Sequence, residues 1–319
     1  MIANVLLLIV GFALLIKGAD VFVDASVGIA QRFRVPSVII GLTIVAFGTS
    51  TPEAVVSISA AISGAGTLAT GNVVGSNMFN LLFVIGLCGL LKPFSVDFKA
   101  LGRDFWASII AGIGLMLIKI IFDDYVPRIV SVMMLVVFAL YMFFLLKSAA
   151  KGSRQDLREN DDKKEKSKKP KRPLWQNICI AVVGCGLIVF GGQLAVSNAV
   201  DIALAIGITQ RVVGLTIVAV GTSLPELATS LVAAKKGETG IALGNVVGSN
   251  ILNILFVLGI SGVISPLIVD GDLLLDMVIL NFASLAALFF VYTGRKVERF
   301  EGLIMVLIYL GYTTYIIMA

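Results

Sequence analysis

The chain has 319 residues, of which 58% are hydrophobic and only 14% charged, with a formal net charge of +5 and a mean hydropathy of +1.00. A chain this apolar cannot turn most of its residues to water, which excludes an ordinary soluble domain and makes a polytopic membrane protein the default class. The positive balance is not a nucleic-acid signature, because eleven of the 25 basic residues lie within 147–172, a stretch that also holds Asp156, Glu159, Asp161, Asp162 and Glu165 and reads as a solvated loop.

A helical span needs about 20 apolar residues to cross a bilayer core. In chain order, such spans are expected at 2–29, 36–62, 68–91, 104–122, 126–146, 174–206, 208–234, 240–264, 273–292 and 300–318. The strand alternation of an outer-membrane barrel is absent. The first segment has no basic leader and no small-residue cleavage site, so it is expected to be a retained span and not a signal peptide.

Threading ten spans with the charged loop in the cytoplasm brings Arg32, Arg34, Lys92, Lys99, Arg103, Lys235, Lys236, Arg295, Lys296 and Arg299 to the same side, 21 basic residues in all. Lys119, Arg128 and Arg211 fall near the outer ends, and Lys17 lies inside the first span. The positive-inside rule therefore selects this orientation in the cell membrane, with both termini outside. Cys88, Cys179 and Cys185 sit in apolar segments, where they read as small packing residues and imply no disulfide framework.

The chain is internally duplicated. A shift of 173 residues lays GLTIVAFGTSTPE (41–53) on GLTIVAVGTSLPE (214–226) and GNVVGSN (71–77) on GNVVGSN (244–250). Without a gap, 32 of the 57 pairs between Gly41 and Asp97 are identical. Each half carries five expected spans, an odd number, so the second half must enter the membrane in the opposite sense. The expected fold is all-α: ten transmembrane helices in two inverted-topology repeats, residues 1–148 and 174–319, split by a cytoplasmic loop at 149–173. In such folds the substrate site lies near the midplane on interrupted helices, and breaks are expected in the second and third spans and in their mates, the seventh and eighth.

The chemistry falls on the duplicated segments. Gly48 with Pro52, and Gly221 with Pro225, should interrupt the second span of each half, because proline lacks a donor and clashes one turn back. The carbonyls freed around Ala46 to Thr49 and Ala219 to Thr222 become candidate oxygen ligands. Glu53 and Glu226 follow the prolines in the first turn of the resumed helix, where the helix dipole favours an acidic side chain. An ionisable group at that depth costs roughly 2.5–3.5 kcal/mol to insert, which marks the pair as functional.

Two glutamates and two sets of carbonyls approach the 6 to 8 oxygen ligands that calcium takes. Ser76 with Asn80, and Ser249 with Asn253, lie four apart and share one helix face each, as further lining or as interhelical hydrogen bonds. Gly71, Gly75, Gly244 and Gly248 are assigned to close helix packing. Asp20 and Asp24 have no acidic mates, since the shift lands on Gln193 and Ser197, and Lys17 and Asp20 are expected simply to pair.

These residues resemble a known family. GTSTPE with GNVVGSNMFN, and GTSLPE with GNVVGSNILN, look like the two alpha repeats of sodium/calcium exchangers, and the resemblance extends over essentially the whole chain. The short loop implies a compact, prokaryote-like member. The resemblance implies calcium and sodium as transported ions, with Glu53 and Glu226 bridging both and the carbonyls of Thr49 and Thr222 completing the calcium shell. It implies flanking sodium sites at Ser50, Ser76, Ser223 and Ser249 with the carbonyls of Ala46 and Ala219, and first and sixth spans that slide to alternate access. Gly18, Gly191 and Gly192 fit close sliding contact.

Members of the wider superfamily often carry an aspartate where this chain has Asn80 and Asn253, so the fixed charge here is about −2 and potassium dependence is disfavoured. Calcium/proton exchange is the alternative, weakened by the absence of any histidine. A passive cation channel is a further alternative, with tracer flux in the absence of a counter-ion as the discriminating behaviour. An enzyme would need a nucleophile, base or metal cluster that the sequence lacks. No cofactor, nucleotide or nucleic-acid partner is expected; the partners are the ions and the lipid bilayer, with a monomer sufficient for transport.

Overall fold

The computed structural model describes residues 1–96, 98–122, 125–159, 172–208, 219–269, 273–294 and 296–318. Within these residues the protein is helical apart from four two-residue strands. The long helices are α1 (Ile2–Phe33), α7 (Phe98–Phe122), α8 (Arg128–Glu159), α9 (Leu174–Ala205), α14 (Leu273–Gly294) and α15 (Arg299–Met318). Between them lie the shorter pieces α2 (Ser37–Ile40), α3 (Ala46–Thr49), α4 (Thr51–Ile62), α5 (Gly66–Met78), α6 (Ile85–Leu91), α10 (Ala219–Gly221), α11 (Leu224–Lys236), α12 (Thr239–Ile251) and α13 (Leu258–Ile264). Among the described residues seven helices are long and apolar enough to cross a membrane, or eight with the bent pair Ser37–Thr49 plus Thr51–Ile62 counted as one span. Part of the expected span at 208–234 lies outside the described residues. Helix α8 continues to Glu159, past the expected repeat boundary at 148.

The expected breaks are only half right. The second span bends by 50° between Thr49 and Thr51, where Pro52 stands in the first turn of α4. The third span does not break. Gly66–Leu91 runs as one helix and widens to a π-helix at Phe79–Val84, and Thr239–Ile264 does the same at Leu252–Val257. Neither segment contains proline, so every amide keeps its donor, and the local strain is absorbed by a wider turn instead of a rupture.

Helices α1 and α9 run antiparallel in close contact. A Cβ added at Gly11 would lie 2.6 Å from the Ala195 nitrogen, and one at Gly18 2.8 Å from the Ile188 nitrogen. One at Gly191 would lie 2.6 Å from the Leu15 nitrogen. Gly18 and Gly191 therefore join these two helices to each other, while Gly192 faces the Pro225 ring at 3.7 Å.

The packing glycines also divide. Gly244 and Gly248 press on the backbone of Gly41 and Leu42, at 3.0 and 2.7 Å for an added Cβ. Gly71 and Gly75 have no comparable neighbour among the described residues, and the segment that the 173-residue shift sets opposite them, 209–218, falls outside these.

Two small ribbons tie the halves together. Strand β1 (Phe94–Ser95) pairs antiparallel with β4 (Lys296–Val297), and β2 (Tyr125–Val126) with β3 (Leu267–Ile268). Residues 66 and 91 are about 38 Å apart along their helix. Gly66 abuts Pro266 and Ile268, whereas Lys92 donates from Nζ to the Lys235 carbonyl at 2.8 Å next to the β1 ribbon. The ribbons thus sit at opposite ends of the bundle.

If the α1/α9 seam carries stability, Gly191→Val should lower it by about 1–3 kcal/mol through overpacking. Gly186→Val, where a Cβ meets nothing within 4 Å, should leave it nearly unchanged. Thermal unfolding in detergent compares the two.

Candidate cation site

Pro52 has no N–H to offer the carbonyl of Gly48 four residues earlier, and that carbonyl accepts instead from the Cys185 thiol at 3.5 Å. Ser50 stands immediately before the resumed helix, and Glu53 follows in its first turn, wholly buried. The second half repeats the pattern: Ser223 precedes α11, Pro225 opens it, and Glu226 is equally buried in its first turn.

The two glutamates are joined crosswise. Ser50 Oγ donates to Glu226 Oε1 at 2.8 Å, and Ser223 Oγ donates to Glu53 Oε1 at the same distance. Each carboxylate is thus held by the serine at the other half's helix break. Ser249 Oγ adds a weaker contact to Glu226 Oε1 at 3.4 Å, while Ser76, its mate, has no partner for its hydroxyl among the described residues.

Asparagines brace this centre from below. Asn72 Nδ2 donates to Ser57 Oγ at 3.0 Å and to the Glu53 carbonyl at 3.5 Å; Asn245 Nδ2 donates to Ser230 Oγ at 3.0 Å and to the Glu226 carbonyl at 3.4 Å. Thr49 Oγ1 donates to Asn245 Oδ1 at 2.9 Å, and Thr222 Oγ1 to Asn72 Oδ1 at 3.5 Å. Asn77 and Asn250 exchange Nδ2-to-carbonyl bonds at 3.2 Å each way. Asn80 Nδ2 donates to Asn250 Oδ1 and Asn253 Nδ2 to Asn77 Oδ1, at 3.2 and 3.1 Å. Every one of these bonds has its counterpart at the 173-residue shift.

What the network leaves over is oxygen. Glu53 Oε2, Glu226 Oε2, Asn80 Oδ1, Asn253 Oδ1 and the Ser76 hydroxyl are all buried without a hydrogen-bond partner among the described residues. Buried acceptors are ordinarily paired, and an ionised carboxylate ordinarily finds a cation. No lysine or arginine among the described residues forms an ion pair with either glutamate. Among the described residues no group of three or more histidine, cysteine or acidic side chains gathers to hold a metal. The donor set is hard and oxygen-only, the chemistry that suits sodium and calcium.

The structure brings part of the expected set together. Glu53, Glu226, Ser50, Ser223, Ser249, Thr49 and Thr222 meet in this network, and Asn80 and Asn253 join it through their amide nitrogens. The Ala46 carbonyl is not freed outright, since it accepts the Ser50 amide at 2.9 Å and the Thr49 hydroxyl at 3.5 Å. Ala219 opens α10 beside the segment outside the described residues. Asn72, Asn77, Asn245, Asn250, Ser57 and Ser230 were not singled out as site residues, although amides repeated identically inside apolar spans were a usable signal. Asp20 pairs with Lys17 at 3.2 Å as expected, and also with Lys236, which was not anticipated.

Residues 3–147 and 177–318 match the family described as sodium/calcium exchanger protein. The chain is 33% identical over 350 residues to the sodium/calcium exchanger MaX1 of Methanosarcina acetivorans, covering 97% of each chain. It is 35% identical over 268 residues to the inner membrane protein YrbG of Escherichia coli, covering 82% of this chain and 79% of that one. Among solved structures, the sodium-calcium exchanger NCX_Mj, soaked with sodium and calcium, is similar at a TM-score of 0.83 and 32% identity over 97% of each chain.

The amide brace makes its own prediction. Asn250→Ala should strand the Asn77 and Asn80 groups that it serves and cost about 1–3 kcal/mol. Thermal unfolding should show a clear loss for this variant and almost none for Cys179→Ala at an exposed position.

Proposed function

The chain belongs to the sodium/calcium exchanger family, and from that premise we propose that it exchanges sodium for calcium across the cell membrane by alternating access at the Glu53/Glu226 centre. The observation that carries this reading is the set of unpartnered buried oxygens, above all Oε2 of each glutamate, arranged about a network in which each half holds the other's carboxylate. The two glutamates bridge calcium and sodium. The Thr49 and Thr222 carbonyls complete the calcium shell, and Ser50, Ser76, Ser223 and Ser249, with the carbonyls of Ala46 and Ala219, serve sodium. Asn80 and Asn253 supply neutral oxygens.

The architecture proposed for this cycle is ten spans in two inverted halves, 1–148 and 174–319, with the termini outside and 149–173 in the cytoplasm. Its support is the swapped ribbons at opposite ends of the bundle and the crosswise bonding at the 173-residue shift. An inverted pair of this kind turns one closed half into the other by a near-exchange of roles.

With only two carboxylates the site charge is about −2, which one calcium neutralises. If more than two sodium ions exchange per calcium, each cycle moves net charge, worth about 2.3 kcal/mol per charge per 100 mV.

Purified protein in sodium-loaded liposomes should therefore take up calcium, and Glu53→Gln or Glu226→Gln should reduce uptake to background. Uptake driven equally well by a pH gradient without sodium would replace this reading with calcium/proton exchange. Uptake with no counter-ion on the far side would indicate a channel. Clamping the membrane potential with potassium and valinomycin should change the sodium-driven rate; an unchanged rate would limit the exchange to two sodium ions per calcium.

A further inference from the structure

A crevice of about 280 Å³ reaches the site from one end of the bundle. It passes Val56, Gln193 and Ser197 and ends on Thr222, Pro52 and Pro225, the last two directly preceding the glutamates. The 173-residue shift carries Val56, Gln193 and Ser197 onto Thr229, Asp20 and Asp24. At that mate position the bundle is closed. Lys236, the last residue of α11, reaches across to α1 and places Nζ 2.6 Å from Asp20 Oδ1, 2.6 Å from Asp24 Oδ1 and 2.8 Å from the Asp20 carbonyl.

The two places are far apart. Gly11 lies level with residues 191–195 and Gly28 level with Asn177, so Asp24 and Ser197 stand about 24 Å apart along the α1/α9 pair at 1.5 Å per residue. Behind the lysine, Thr229 is wholly buried and its hydroxyl has no partner among the described residues, whereas its mate Val56 lines the open crevice. A hydroxyl that bonds nothing in this closed arrangement would meet water if α1 drew away from α11.

We propose that Lys236 is a positioning residue of the transport cycle: clasped by Asp20 and Asp24, it latches α1 to α11 and seals the loop-side mouth of the site, and it must let go for ions to pass there. The proposal rests on the alternating-access reading. The latch has no counterpart at the other mouth, because the corresponding residues are Gln193, Ser197 and Ser63, all uncharged. The cycle is therefore biased toward access from the crevice side. Asp20 and Asp24 are 38% and 59% exposed. Two partly exposed pairs are weak enough to break each turnover, and together they shift the balance of access by roughly three- to thirty-fold. Lys17, on Asp20 Oδ2 at 3.2 Å, holds one of the acids in place for the lysine.

The test reads access directly. Thr229→Cys and, separately, Val56→Cys are placed in full-length protein with Cys88, Cys179 and Cys185 replaced by alanine, and vesicles are treated with a membrane-impermeant maleimide on the loop side or the opposite side. Adding Lys236→Met should raise loop-side labelling of Thr229→Cys roughly three- to thirty-fold and lower labelling of Val56→Cys from the other side. Lys236→Arg should restore both rates. Asp20→Asn with Asp24→Asn should reproduce Lys236→Met, and it carries the test if the lysine variant fails to fold. Unchanged labelling of Thr229→Cys in folded Lys236→Met protein, or in the double aspartate variant, would overturn the latch. Calcium uptake by the unmodified protein is measured in parallel: its failure would sink the exchange reading, while the labelling rates still judge the latch.

Discussion

Two carboxylates lie wholly buried in a membrane-spanning bundle with no basic side chain among the described residues set against them, and the rest of the interior is organised around that fact. Removing a charge from water costs several kcal/mol even after local relaxation, and hydrogen bonds from two serines repay only a part. A permanent lysine partner would neutralise the pair and leave nothing for a mobile ion to do. By meeting only one oxygen of each carboxylate with a serine, the protein holds both groups in position and reserves the other oxygen.

The backbone serves the same end by two different routes. In the second span and its mate, proline forces the helix to restart, which sets a glutamate at a helix N-terminus where the dipole supports its charge. In the third span and its mate, no proline is present, and a π-helical turn brings Asn80 and Asn253 into the interior with one amide nitrogen bonded and the oxygen free. The asparagine lattice of Asn72, Asn77, Asn245 and Asn250 then fixes these elements to one another across the duplication. Rigidity at the centre and a loose seal at the edge belong together. Ions need a cage that does not sag, while access needs a contact such as Lys236 with Asp20 and Asp24 that opens at little cost.

Much of this was legible in the residues. The duplication, the proline-glutamate pairs and the serines before them follow from a gap-free repeat and the expense of charge at depth, and they meet in the structure. The π-helices were not legible, because a wider turn is a tertiary accommodation that leaves no mark such as proline. The asparagine brace is not legible as such although its residues are repeated identically, since an amide within an apolar span carries no mark of the groups it will meet. Lys236 looked like one more basic residue at a helix end. Only the folding of α11 against α1 reveals that it reaches Asp20 and Asp24, 216 and 212 positions away in sequence. The unpaired state of Gln193 and Ser197 relative to those acids was visible, but its meaning depended on knowing which mouth is open.

Calcium and sodium are proposed to compete for the Glu53/Glu226 centre. Titration calorimetry of calcium into purified protein, repeated at rising sodium concentration with ionic strength held constant by choline, tests it most directly. Competition at this centre should give saturable calcium binding whose apparent affinity falls more steeply than in proportion to sodium concentration, because more than one sodium ion displaces each calcium. Calcium binding that is indifferent to sodium at constant ionic strength would contradict it.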